Sequence, residues 1–521
     1  MTHDTGPSGC YCCGVNRRQF LQTGCAACVG AAGVLSLPAG ARALVDPAPV
    51  RLRIVYALHA EQQAVPDWPN LGFDFRPVME RTTRALTEGC PECTFEVSMA
   101  KDAEETAAIV AADEGTGIDG YVVCQLNCWN RIVQTLAETG KPVLYSDFTY
   151  AGSGGFLVYT AAFLRAGTPN VGFVSSSRLE DLVAAARCFE PVVQSGRSGN
   201  FASAVTRVRR QGTAAVGDLT CLADPVTTLD PSRTLREMRR APILAVRDQQ
   251  ARTAEPIMGI PVEFIPFAEV NAAWEDADRA AAAEIADRWA SDAMVVRGVS
   301  RETLETSAAM YLGMKEVLGR HGARAITINC LGGFYGGHIH AYPCLGFHEL
   351  NNEGLIGACE CDLRSTSTMV AVNALTGGRP GYISDPVLDT ARRRIIYAHC
   401  VATNRVFGPD GPVNPFEILT HSEDRQGASV RSILPAGYMT TSLEFMPERQ
   451  EVLLHAGKAV ANDPDDRACR TKLVVEPIGD FEKLFTMWDR WGWHRVTFYG
   501  DLREPLAGLA DALGYTVVRE T

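Results

Sequence analysis

From Arg51 onward the chain alternates short apolar runs of β character with segments of helical periodicity, which restricts most of it to the α/β class. The first series of strands runs Arg51–Ala57, Thr94–Val97, Gly120–Cys124, Pro142–Tyr145 and Asn170–Val174, with helices ending near Glu88 and spanning Glu104–Ala112 and Trp129–Glu138. It predicts a doubly wound α/β domain over residues 46–195. After Gln194-Ser-Gly-Arg-Ser-Gly199 a second series begins, with strands at Pro242–Val246, Val262–Ile265 and Ala325–Asn329. Its helices are Val270–Met294 and Arg301–Gly319, the latter opened by Ser300 as N-cap, and a second doubly wound α/β domain over 196–388 is expected. Beyond about residue 390 β-rich segments dominate (Ser429–Leu434, Tyr438–Phe445, Glu451–His455, Thr471–Val475), and they predict a small antiparallel barrel or sandwich over 389–521. A chain of 521 residues is too long for one core, so three domains suit its length.

The densest chemistry lies in Gly354-Leu-Ile-Gly-Ala-Cys-Glu-Cys-Asp362, followed by a helix-like segment and Pro380-Gly-Tyr-Ile-Ser-Asp385. This reads as strand, crossover helix, strand. A crossover of that length makes the two strands parallel, so Glu360 and Asp385 emerge at one sheet edge, where open α/β sheets hold their ligands. Two convergent carboxylates there suit a divalent cation and proton transfer. Asp362 shares the strand face of Glu360 and is either a functional carboxylate or, as its residue type favours, the N-cap of the next helix. Cys359 and Cys361 flank Glu360 and are expected to point the other way, into the core.

Several further residues are open to two readings. His338 and His340 alternate in a Gly/Tyr-rich loop, as a metal pair, as substrate-facing groups or as exposed side chains. His399 is either a core imidazole bonded to backbone or a ligand or substrate contact. His494 stands among Trp488, Trp491 and Trp493, which form aromatic packing or a wall on which a sugar stacks its C–H face, Trp493 being adjacent to the histidine. Ala151-Gly-Ser-Gly-Gly155 lacks the spacing of a phosphate cradle and reads as a loop.

The net charge of -12 argues against nucleic acid as a partner, since a phosphate backbone rewards clustered Lys and Arg. At the N-terminus Arg17-Arg18-Gln-Phe-Leu21 precedes an uncharged Gly/Ala-rich run to Ala41, and residues 1–43 resemble a twin-arginine signal peptide. The apolar core of this segment is too short to span a bilayer as a mature helix. The expectation is folded export through the twin-arginine translocase to a periplasmic or extracytoplasmic location, with membrane anchoring if the signal is retained. Of 17 cysteines, Cys10, Cys12, Cys13, Cys25 and Cys28 would leave with it. Cys90-Pro-Glu-Cys93 has no second pair at zinc-ribbon spacing and is read as a local disulfide or two ordinary thiols.

Ala358-Cys-Glu-Cys-Asp362, Leu375-Thr-Gly-Gly378, Ser384-Asp385 and Trp491-Gly-Trp-His494 together resemble the metal-site region of the L-fucose and L-arabinose isomerase superfamily, most strongly over residues 325–521. The resemblance implies that Glu360, Asp385 and His494 bind Mn²⁺ or another divalent cation such as Mg²⁺. It also implies that Glu360 and Asp385 act as acid and base on a small-molecule sugar, and that the protein is a homo-oligomer. Tyr397-Ala-His399 matches a further ligand of the arabinose-type branch, and His421-Ser-Glu423 also falls within the resemblance. The chemistry suits these residue types, because a hard cation held by carboxylates and imidazole can stabilise an enediolate between aldose and ketose. The alternatives are an exported non-catalytic carbohydrate-binding protein that retains the fold, and another enediolate reaction such as epimerisation or dehydration.

Overall fold

The apolar strand runs sort into three main sheets in the computed structural model, which describes Ala48–Thr521 except Asp248 and Gln249. The expected export signal lies outside the described residues. The first sheet holds five parallel strands in the order Cys93–Ala100, Val50–Ala57, Gly120–Gln125, Val143–Asp147, Val171–Val174. Every residue of Gly120–Gln125 and Val143–Asp147 is buried, as central parallel strands covered by helices on both faces require.

The second sheet has the order Ile356–Cys359, Ala325–Ile328, Ile243–Val246, Ile260–Ile265, Arg252–Ile257; only the last, edge strand is antiparallel. Among its helices Arg301–Arg320 begins at Ser300, whose side chain accepts from the Thr303 amide. The single helix expected over Val270–Met294 is two, Phe267–Glu275 and Arg279–Asp292. Asp278 breaks the run by accepting from the amides of Ala280 and Ala281, a local bond that competes with helix continuation.

The third sheet closes on itself. Six antiparallel strands follow one another around a barrel: Met439–Met446, Arg495–Tyr499, Gly381–Asp389, Arg394–His399, Thr471–Pro477 and Glu451–Asn462, which pairs back with Met439–Met446. Thr516–Arg519 adds a parallel strand beside Glu451–Leu454. The chain is therefore a mixed α/β protein with a β-barrel at its C-terminal end. Ser429–Ser432 is not a barrel strand; it joins Phe416–Leu419 and Val295–Arg297 in a small separate sheet.

One expectation is overturned here. Gly381–Asp389 does not lie parallel to Ile356–Cys359 in the second sheet; it leaves that sheet and pairs antiparallel with Arg394–His399 and Arg495–Tyr499. Crossover length alone does not say which sheet a strand enters. At Gly381 the ring of Phe498 packs so close that a Cβ would sit 2.4 Å from it, so this glycine admits the strand to the barrel.

The barrel is the common neighbour of both α/β units. Val55, Tyr145 and Phe156 of the first unit share a core with Tyr382, Leu388 and Leu473, while Ile243, Ala325 and Ile356 of the second share one with Leu443, Val496 and Phe498. Residues Pro49–Thr521 accordingly pack as one compact unit. All twelve cysteines among the described residues are free thiols, so Cys90 and Cys93 form no disulfide; burial pushes their thiols up to about 11 and about 12. Among the described residues no helix is long and apolar enough to cross a membrane.

Candidate active site

Three parts of the fold converge on a cavity of about 650 Å³. Loops after the first-sheet strands Val50–Ala57 and Gly120–Gln125 supply Asp67, Trp68 and Trp129. These two strands adjoin where the strand order reverses, the crevice in which doubly wound sheets hold ligands. The second sheet contributes Glu360, and the barrel contributes Asp385, His399 and His494. The two carboxylates thus meet from different sheets.

Glu360 sits in a turn of unusual backbone geometry. Its strand ends at Cys359, and Glu360 and Cys361 then adopt φ of +65° and +50°, a left-handed conformation that costs roughly 1 kcal/mol or more per non-glycine residue. Both ends of the turn are pinned. The Cys361 amide donates to the Ile328 carbonyl at 3.0 Å, and the Asp362 side chain accepts from the amides of Arg364 and Ser365, capping the helix Leu363–Thr376. Both flanking cysteines are buried as expected, Cys359 in the core of the second α/β unit, where it also borders the cavity, and Cys361 in the core shared by the second sheet and the barrel.

His494 is the centre of the carboxylate cluster. Its Nδ1–H donates to Asp362 Oδ2 at 2.9 Å, so that when the ring is neutral the lone pair is on Nε2. Nε2 lies 3.2 Å from Asp385 Oδ1 and 3.4 Å from Glu360 Oε2, yet it is buried without a hydrogen-bond partner. His399 Nε2 is likewise buried and unpartnered, 3.9 Å from Glu360 Oε1. Glu360, Asp385 and His494 Nε2, spaced in this way, suit a hard divalent ion inserted between them. Ligand atoms of Glu360, His399 and His494 all lie within 4.8 Å of one another.

The electrostatics are those of a crowded acidic site. Burial raises Glu360 above its ordinary value, only partly offset by His494. Burial would raise Asp385 too, but the adjacent His494 and His399 imidazoles outweigh it and the group lies below its ordinary value. Desolvation would raise Asp362, but the hydrogen bond and charge of His494 together with the Ser365 hydrogen bonds hold it down to about 2. Desolvation pulls His494 down, and the surrounding carboxylates override it, so its pKa is raised well above the usual imidazole value.

An aromatic wall adjoins the cluster. Trp493 donates Nε1–H to Asp385 Oδ1 at 2.7 Å and packs edge-to-face on Trp129, their rings 6.2 Å apart. The Gly-rich stretch expected as a loop starts the helix Ser153–Ala166, where glycine is needed for contact: a Cβ on Gly154 would lie 3.0 Å from Cys128 and 3.3 Å from Trp493. His338 and His340 do not join the site. Both are exposed, His338 stacking on Phe267 and His340 lying beside Glu275 and Trp274, and neither lines the cavity.

The sequence resemblance took in His421 and Glu423 but gave them no part in the site, and both line the cavity. His421 donates Nδ1–H to Asp424 at 3.0 Å; burial lowers its pKa, but this bond together with the charges of neighbouring groups outweighs it and raises it to about 9. Burial raises Glu423 to about 8, and Tyr335 O–H donates to it at 2.9 Å. The dense run His421-Ser-Glu-Asp424 was the available signal; nothing local marks Asp67 or Trp129.

No family model matches the chain. It is 27% identical over 216 residues to a sulfoquinovose isomerase of Clostridium sp. (strain MSTE9), which covers 39% of this chain and 46% of that protein. It is 24% identical over 227 residues to a sulfoquinovose isomerase of Priestia aryabhattai (42% and 49%), and 24% over 160 residues to one of Alkalicoccus urumqiensis (30% and 35%). The chain thus spans less than half the length of each of these relatives.

Proposed function

We propose that this chain is a metal-dependent aldose–ketose isomerase acting on a small sugar through an enediolate. The observation that carries the reading is the buried, unpartnered Nε2 of His494 between the carboxylates of Glu360 and Asp385, its tautomer set by Asp362. Glu360, Asp385 and His494 would hold Mn²⁺ or Mg²⁺. When bound, such an ion polarises neighbouring carbonyl and hydroxyl oxygens of the sugar and stabilises the charge that develops on them.

His399 takes a different part. Its Nδ1 accepts from the Cys400 amide at 3.0 Å, so the neutral ring carries its proton on Nε2. It therefore offers the cavity a hydrogen-bond donor, suited to a substrate oxygen, and not the lone pair a cation needs. Glu360 and Asp385 approach the sugar from two different sheets and so can serve two adjacent carbons, one withdrawing and one returning the proton. Trp493 and Trp129 present the faces on which a sugar ring packs. The name of the relatives places sulfoquinovose, a hexose bearing a sulfonate, among the sugars to be tried.

The test is proton NMR of the protein lacking residues 1–43, with Mn²⁺ in D₂O, against aldopentoses, aldohexoses, deoxysugars and sulfoquinovose. Ketose formation with deuterium incorporated beside the carbonyl is the expected result. Saturable binding of a sugar with neither exchange nor ketose would overturn the reading in favour of a binding protein. A second expectation concerns Asp362→Asn. Asparagine caps helices as well as aspartate but gives up the charge that His494 stabilises, so the metal-free protein should lose about 1–3 kcal/mol of stability at neutral pH. The neutral side chain no longer matches the His494 Nδ1–H as a carboxylate does, and Mn²⁺ affinity, read by metal titration, should fall about 10- to 100-fold. Unchanged affinity would remove Asp362 from the site.

A further inference from the structure

One part of the cavity carries two acidic groups that the reaction itself does not use. There Asp67, from the first α/β unit, and Glu423, from the loop between the small-sheet strands Phe416–Leu419 and Ser429–Ser432, both line the space. The two segments are tied together, the Leu71 amide donating to the Glu423 carbonyl at 2.7 Å. Among the described residues no Lys or Arg lines the cavity. Its cation apart from the site histidines is His421, and that imidazole is already neutralised by Asp424.

We propose that Asp67 and Glu423 are specificity-determining residues that select a sugar without an anionic substituent, accepting hydrogen bonds from hydroxyls remote from the reacting carbons. The inference rests on the isomerase reading for the orientation of the sugar, since the reacting carbons must face Glu360 and Asp385. Asp67 already receives the Trp68 amide on one oxygen and His59 on the other, and Glu423 receives Tyr335 O–H. Both groups are therefore held in place, and each carboxyl oxygen retains a second lone pair for a sugar hydroxyl. A sulfonate or phosphate in the same position would lie against two acidic side chains with no Lys or Arg to pair its charge, leaving that charge uncompensated inside the cavity. Tyr335 and Trp68 supply apolar surface beside these acidic groups, which suits the C–H faces of an uncharged sugar.

The experiment compares binding of neutral aldoses, sulfoquinovose and glucose 6-phosphate to the Mn²⁺-loaded protein, followed by tryptophan fluorescence because Trp68, Trp129 and Trp493 line the cavity. At least one neutral sugar should saturate, and both anionic sugars should bind roughly tenfold or more weakly. Asp67→Asn and Glu423→Gln, isosteric changes whose folding is checked by melting, should raise KM for the neutral sugar more than they lower kcat. The double variant should narrow the gap between neutral and anionic sugars. Anionic sugars that bind as tightly as neutral ones, no neutral sugar binding, or a gap unmoved in the double variant would overturn the proposal. Failure of the isomerase reading looks different: discrimination between neutral and anionic sugars would persist with no ketose and no deuterium uptake.

Discussion

Glu360→Gln is expected to abolish turnover, by about a thousandfold or more, while leaving the protein folded. Glutamine has the size and backbone preferences of glutamate, so the turn pinned by Ile328 and by the Asp362 cap should survive. What changes is charge. The proposed ion loses an anionic ligand, and the sugar loses one of its two proton-transfer groups. The stability of the metal-free protein provides a separate readout. Burial holds the Glu360 pKa above its ordinary value, so its ionised form opposes folding, increasingly so as pH rises through the ordinary carboxylate range. The metal-free variant should therefore melt no lower than the parent at neutral pH. Saturating Mn²⁺ should raise the melting temperature of the parent and move the variant far less, since ligand at a hundred times its Kd stabilises by about 2.7 kcal/mol. Full activity in Glu360→Gln would remove the residue from the mechanism.

The largest effect on stability is expected at a residue that does not line the cavity, the penultimate one. Glu520→Ala should destabilise the protein by about 3–5 kcal/mol, measured by denaturant unfolding. The Glu520 carboxylate is fully buried and accepts from Arg495 and from His455, each at 2.8 Å; His455 in turn bonds Tyr397. Arg495 is itself fully buried, stacked over Trp488 at 3.9 Å. Removing the carboxylate strands a permanent cation inside the barrel. Desolvation would raise the Glu520 pKa, but Arg495 and His455 outweigh it and hold the group down to about 2. A carboxylate whose folded pKa is depressed stabilises above its unfolded value near 4.3 and loses that contribution as pH falls toward the folded value. The parent should accordingly lose about 3 kcal/mol more than Glu520→Gln between roughly pH 5 and 2. Equal acid sensitivity in the two proteins would show that the pair does not contribute as described. Since Arg495 directly follows His494 and donates to its carbonyl at 2.8 Å, loss of Glu520 should also weaken the site.

The strands of the first sheet were legible because central parallel strands are continuous apolar runs, and their burial leaves no choice of pattern. Caps were legible for a similar reason. Ser300 and Asp362 act on amides two or three residues away, within reach of a local rule, although the same rule was overlooked at Asp278. Glu360, Asp385 and His494 were singled out from short motifs, and the structure brings all three together.

The sequence by itself determined the α/β alternation, the β-rich end and the identity of the acidic and imidazole groups at the candidate site, since each depends on residue type and spacing along a few turns of chain. Only the tertiary structure decided that Gly381–Asp389 enters the barrel, that Asp385 therefore reaches Glu360 from another sheet, and that His338 and His340 stay outside. It also decided that Asp67 and Trp129, from the first α/β unit, close the cavity. The physical reason is that periodicity reports which face of an element is apolar, whereas the partner that covers this face is selected by packing between residues hundreds of positions apart. Phe498 against Gly381 is one such contact, and no local pattern encodes it.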